Sequence, residues 1–134
     1  MERNGDGLEA QTRWALLVED EALVAMVAED LLNDLGFQTR SCISAGDALR
    51  SVERDETLPA LAVIDVGLPD MRGDELTRRL RIMAPAMKVI VASGYDPYTL
   101  QTLFSGDPNV TVMSKPYGEE DLARAVVALG FEIA

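Results

Sequence analysis

The sequence predicts a doubly wound α/β domain: a five-stranded parallel sheet with five helices packed on its two faces. Three observations carry that reading. Short apolar runs recur along the chain, the fullest being Leu61, Ala62, Val63 and Ile64, and such runs suit strands buried on both faces. Between them the apolar spacing changes to that of amphipathic helices. The breaks are short and carry Gly or Pro, so strand and helix alternate in the pattern that winds helices onto a parallel sheet.

Residues 1–12 are polar and aperiodic and read as a flexible tail ahead of one domain spanning 13–134. The first apolar run, Trp14–Val18, ends in three acids, Glu19, Asp20 and Glu21. The helix after it places Leu23, Val24, Val27, Leu31 and Leu35 on one stripe, and Gly36 suits its C-terminal stop. Residues 37–43 form a weaker second strand. Ser44, with Asp47 three residues on, marks a helix start, with Ala48, Leu49 and Val52 facing inward. Thr57 to Pro59 breaks the chain before the third strand, which runs directly into Asp65.

After Gly73 a helix turns Leu76, Leu80 and Met83 inward and Arg78, Arg79 and Arg81 outward, and Pro85 closes it. Residues 87–92 are the fourth strand. Asp96 can cap and Pro97 can open a short helix whose apolar side is Leu100, Leu103 and Phe104. Gly106 to Pro108 is a turn and residues 110–113 the fifth strand. Glu119, Glu120 and Asp121 open the last helix, where the macrodipole favours acids. Leu122, Val126 and Leu129 face inward, and Gly130 stops it.

The totals narrow the functional classes. Net charge is −11, from 12 Lys+Arg against 23 Asp+Glu, which argues against a nucleic-acid surface. The chain has no histidine, so histidine metal sites and histidine bases are excluded. Its one cysteine, Cys42, permits no disulfide framework and reads as a small core residue. No apolar run approaches the roughly 20 residues of a membrane span, and the N-terminus lacks a signal-peptide pattern, so a cytoplasmic location is expected.

The residues directly after the strands are more telling. Strand one delivers Glu19 and Asp20, strand three Asp65, strand four Ser93 and strand five Lys115; strand two offers nothing comparable. In a parallel sheet these ends emerge on one edge, where ligand crevices lie. Taken alone, Asp65 could merely cap a turn. Three crowded carboxylates need neutralising, and Lys115 supplies one positive charge. An oxygen-only donor set suits Mg²⁺ for the remainder. Asp65 is then a candidate nucleophile forming an acyl phosphate, with Ser93 bonded to a phosphoryl oxygen.

Val18 to Glu21, Ile64 to Gly73, Val91 to Gly94 and Ser114 to Pro116 resemble the receiver domain of two-component response regulators, which has a flavodoxin-like fold. The resemblance covers residues 13–130. It implies Asp65 as phosphoacceptor, Asp20 as direct Mg²⁺ ligand, Glu19 acting on the metal through water, and the Gly67 carbonyl as a backbone ligand. It further implies that Ser93 and Lys115 contact the phosphoryl group and that Pro116 follows a cis peptide. Receivers commonly carry Tyr or Phe on strand five where Val112 stands. Ala92, Ser93, Gly94 and Tyr95 instead resemble single-domain receivers called FAT GUY, in which the loop around the Gly carries the response. Tyr95 reads equally as a half-buried loop aromatic.

The resemblance implies a stand-alone phosphorelay protein that accepts phosphate from a histidine kinase or histidine phosphotransfer protein and signals by conformational change. Its output is a partner contact, a further transfer or a phosphate sink. It would catalyse its own phosphorylation and dephosphorylation while serving mainly in signalling. Two alternatives remain at this point. A haloacid-dehalogenase-like phosphatase needs a second Asp two residues after the nucleophile, where Gly67 stands. A binding module that works without phosphate usually lacks an acid or the lysine, and all are present.

Overall fold

Side-chain alternation along the strands decides which residue enters which core. In the computed structural model, which describes residues 13–94 and 97–133, the elements in order are β1 (Trp14–Val18), α1 (Ala22–Asp34), β2 (Gln38–Cys42), α2 (Ala45–Arg54), β3 (Leu61–Asp65), α3 (Gly73–Met83), β4 (Lys88–Ser93), α4 (Pro97–Leu103), β5 (Val110–Ser114) and α5 (Glu119–Ala128). All strand pairs are parallel, in the order β2-β1-β3-β4-β5. Trp14, Leu16 and Val18 of β1 join Ala62 and Ile64 of β3 in the core that α2, α3 and α4 cover. Ala15 and Leu17, with Leu61 and Val63, enter the opposite core, beneath α1 and α5. Strands β1, β3 and β4 are buried nearly throughout; β2, at the sheet edge, is mostly exposed.

Helix ends follow their local chemistry. Ser44 accepts the Asp47 N–H and caps α2. The Asp121 carboxylate accepts the Gly118 N–H at 2.9 Å, so an acid of the first turn of α5 satisfies a donor just ahead of it. Gly36 ends α1 at φ 102°, a conformation costly for side chains with a Cβ, and its N–H bonds Asn33 O.

Four sequence expectations need correction. The stripe of α1 is rotated: Ala28 and Leu32 are buried, while Leu23 and Val27 are exposed. The helix meets the sheet through Ala28 and Leu32, with Ala25 and Leu31 partly buried beside them, so the inward face lies to one side of Leu23 and Val27. Arg81 does not point outward but pairs with Asp107 across the core edge. Burial pushes the Asp107 carboxyl up, but the Asn109 N–H and then the Arg81 guanidinium together outweigh it and hold it below its usual range. Leu103 is exposed, leaving Leu100 and Phe104 as the inner side of α4. Strands β4 and β5 each run one residue further, to Ser93 and Ser114, because the ladder continues to the Ser93–Ser114 pair. The expected cap at Asp96 and the tail at residues 1–12 lie outside the described residues. Among the described residues no helix is long and apolar enough to cross a membrane.

Candidate functional site

The residues past the strand ends are held by the sheet ladder itself. The Glu19 N–H bonds Cys42 O at 3.0 Å, the Val66 N–H bonds Ala92 O at 3.0 Å, and the Lys115 N–H bonds Ser93 O at 2.8 Å. Each of these bonds extends a strand pairing by one step, so the first residues beyond the sheet keep its register. Gly73 fixes the third strand end from outside. Its N–H bonds Val66 O, and a Cβ built there would meet Asp65 O at 2.4 Å. Only glycine lets α3 start that close to the backbone of Asp65.

At this edge Glu19, Asp20 and Asp65 present carboxylate oxygens all within 4.8 Å of one another. Glu19 and Asp65 are buried and Asp20 is exposed. The Lys115 ammonium lies 3.1 Å from Glu19 Oε1, 3.4 Å from Asp65 Oδ1 and 3.8 Å from Glu21 Oε1. The Gly67 N–H donates to Asp65 Oδ1 at 3.3 Å, and the Glu21 N–H to Glu19 Oε2 at 3.1 Å. Burial pushes the Glu19 carboxyl up, more than the Glu21 N–H and Lys115 bring it down. Burial also works against the charge on Lys115, but its bond to Glu19 and the charges of Glu19 and Asp65 outweigh it, and the ammonium is held above its usual value.

Asp20, Glu21, Asp65, Val66, Gly67, Gly94 and Lys115 line an open hollow of about 440 Å³. The fold thus brings Glu19, Asp20, Asp65, Gly67 and Lys115 together, with Gly94 on the wall. Ser93 is buried at the end of β4, in register with Ser114. Val112 and Pro116 do not join this group; both line a separate groove of about 370 Å³ with Asp121 and Arg124. The Lys115–Pro116 peptide is cis. Tyr95 lies outside the described residues.

Two neighbours carried no role in the sequence reading. Tyr117 is half-buried beside the cluster, and burial, then the Glu19 charge, push its phenol up to about 12. Glu21 faces Lys115, and its only sequence signal was its place as the third acid of a run. Both also line an apolar groove of about 470 Å³ with Leu23, Val24 and Val27 that abuts the hollow. Chemically, the hollow offers oxygen-only donors for a hard cation, with one ammonium beside a buried carboxylate.

Comparison with known proteins agrees with this geometry. Residues 15–127 match the response regulator receiver domain family. The chain is 32% identical over 111 residues to the sensor kinase CckA of Brucella abortus, covering 83% of this chain and 12% of that protein. It is 23% identical over 111 residues to the sporulation initiation phosphotransferase F of Bacillus subtilis, covering 83% and 88% respectively. A response regulator receiver domain protein (CheY-like) from Methanospirillum hungatei superposes with a TM-score of 0.75 at 26% identity, over 87% of this chain and 91% of that one. With sheet order, acidic cluster and family match in accord, the chain belongs to the response regulator receiver domain family.

Proposed function

We propose that this chain is a phosphoacceptor receiver in which Asp65 takes a phosphoryl group from a phosphohistidine of a partner kinase or phosphotransfer protein. The observation that carries the reading is the buried Asp65 carboxylate, 3.4 Å from the Lys115 ammonium and grouped with Glu19 and Asp20. In the transfer an Asp65 oxygen bonds to phosphorus as the bond to the donor imidazole breaks, and the imidazole nitrogen keeps the electron pair. Lys115 offsets charge on the phosphoryl oxygens, and the Ser93 hydroxyl bonds one of them. The oxygen donors fit Mg²⁺, with Asp20, Asp65 and the Gly67 carbonyl as ligands and Glu19 acting through water. Such an ion supplies neutralisation of phosphoryl charge when bound. The exposed Leu23 and Val27, which line the groove abutting the hollow, support a protein as donor.

The conformational response is assigned to Ser93, Gly94 and Tyr95, as in the FAT GUY type, with β5 and α5 as the surface that reads it. Among the described residues nothing lies within 4 Å of a Cβ built at Gly94, and a glycine backbone can take conformations closed to other residues. Val112 offers no aromatic to follow, and Pro116 closes the loop beyond Lys115. Incubation with Mg²⁺ and a small phosphodonor should label the protein, and Asp65→Asn should abolish the label. Equal labelling of the variant would refute the assignment of Asp65. Unlabelled wild-type protein that still binds its partner would establish the phosphate-free binding module instead.

A further inference from the structure

The Asp65 hollow gathers the carboxylates of Glu19, Asp20 and Asp65, and a further one, Glu21, stands on its rim. Glu21 occupies the N-cap position of α1, yet its side chain makes no capping bond. Its carboxylate turns instead to Lys115 Nζ, 3.8 Å away, with the side chain 66% exposed. The same residue lines both the hollow and the apolar groove beside it. Glu21 thus stands between the way in from bulk water and the surface open to a protein. Against the Lys115 ammonium are set Glu19, Asp20, Asp65 and Glu21, and Glu21 stands outside the Glu19–Asp20–Asp65 group.

We propose that Glu21 is a donor-selecting residue: its rim carboxylate disfavours free dianionic phosphodonors and so favours a phosphoryl group delivered by a docked protein. The inference rests on Asp65 being the phosphoacceptor. A small anion must diffuse past Glu21 against its charge, and part of the Lys115 attraction is spent on Glu21. A protein donor is placed by contact over its whole surface, the apolar groove included, so its approach depends little on one rim charge. With acetyl phosphate, Asp65 oxygen bonds to phosphorus while the phosphorus–oxygen bond breaks and acetate leaves with the electron pair. With phosphoramidate, the phosphorus–nitrogen bond breaks and ammonia leaves, its nitrogen already protonated.

The test compares initial labelling rates of wild type, Glu21→Gln and Glu21→Asp at saturating Mg²⁺, with acetyl phosphate (a dianion near neutral pH) and phosphoramidate (a monoanion). Glu21→Gln should speed labelling by acetyl phosphate about threefold to tenfold at low ionic strength, with a smaller gain for phosphoramidate and none at high salt. Glu21→Asp, which keeps the charge, should stay within about twofold of wild type. Without turnover, inorganic phosphate titrated against the Gly67 and Lys115 amide signals should bind Glu21→Gln more tightly than wild type. Equal gains for both donors, a gain insensitive to salt, or no gain in Glu21→Gln overturns the proposal while leaving Asp65 as phosphoacceptor. No label on any form with either donor overturns both.

Discussion

Oδ1 of Asp70 accepts the backbone N–H of Ala45 at 2.9 Å, so a carboxylate from the loop after β3 caps the neighbouring helix α2. Its second oxygen accepts the Gly46 N–H at the same distance. The Ser44 hydroxyl caps that helix start at one point, accepting the Asp47 N–H. The segment that leaves Asp65 and carries Gly67 is therefore tied to α2 by two charge-assisted hydrogen bonds.

Those bonds, Ala45 first and Gly46 second, hold the Asp70 carboxyl below its usual range. A carboxyl lowered by folding contributes stability that is complete above its ordinary pKa of about 3.9 and is lost as pH falls through the lower folded value. Asp70→Asn should melt below wild type near neutral pH and lose less on acidification. Thermal melts taken from neutral pH down through that window check this, and parallel curves for the two proteins would reject it.

Gly73→Ala should cost about 1–3 kcal/mol, because the new methyl would stand 2.4 Å from Asp65 O and 2.7 Å from Val66 Cα, and backbone cannot step aside cheaply. Gly67→Ala is the control, since among the described residues its Cβ would meet nothing closer than Asp65 Oδ1 at 4.0 Å. Urea unfolding of both variants gives the comparison; equal loss in the two would contradict the close approach at Gly73.

Millimolar Mg²⁺ should raise the melting temperature. Stabilisation reaches about 1.4 kcal/mol when the free ion is at ten times its Kd. Asp20→Asn removes an exposed member of the carboxylate group without disturbing the core, and should abolish most of that shift. An undiminished shift would put the ion elsewhere.

Self-dephosphorylation should be slow. Loss of an acyl phosphate is sped by a side chain that holds the attacking water in line, and Gly67, two residues after Asp65, has none. Gly67→Asn should hasten decay of the labelled protein by about tenfold or somewhat more. Loss of label from the wild type within seconds, in Mg²⁺ buffer alone, would mean that another group already holds that water.

The architecture was legible because strands such as Leu61–Asp65 are apolar throughout, and because the chemistry-bearing residues sit directly after them. That is a local pattern, and a parallel sheet converts it into one cluster. What escaped was nonlocal or a matter of rotation. The α1 stripe was read from its largest aliphatics, Leu23 and Val27, whereas the sheet took Ala28 and Leu32. Arg81 looked like one more solvated arginine because its partner, Asp107, stands 26 residues away. Asp70 gave no sign of capping Ala45, and the role of Gly73 depends on how closely two backbones pass.

The ladder bonds beyond the strand ends have a bearing on which changes of length the chain can absorb. Glu19, Val66 and Lys115 are each one pairing step past a strand, so a residue inserted within β1, β3 or β5 would carry the next carboxylate or ammonium to the opposite face. At the opposite ends of the strands, the turns at 55–60, 84–87 and 104–109 lead into β3, β4 and β5. Added residues there would be taken up as longer surface loops at small entropic cost. Insertions should thus be unevenly tolerated, more readily at exposed positions of the amino-edge turns than directly after the strands at the carboxyl edge.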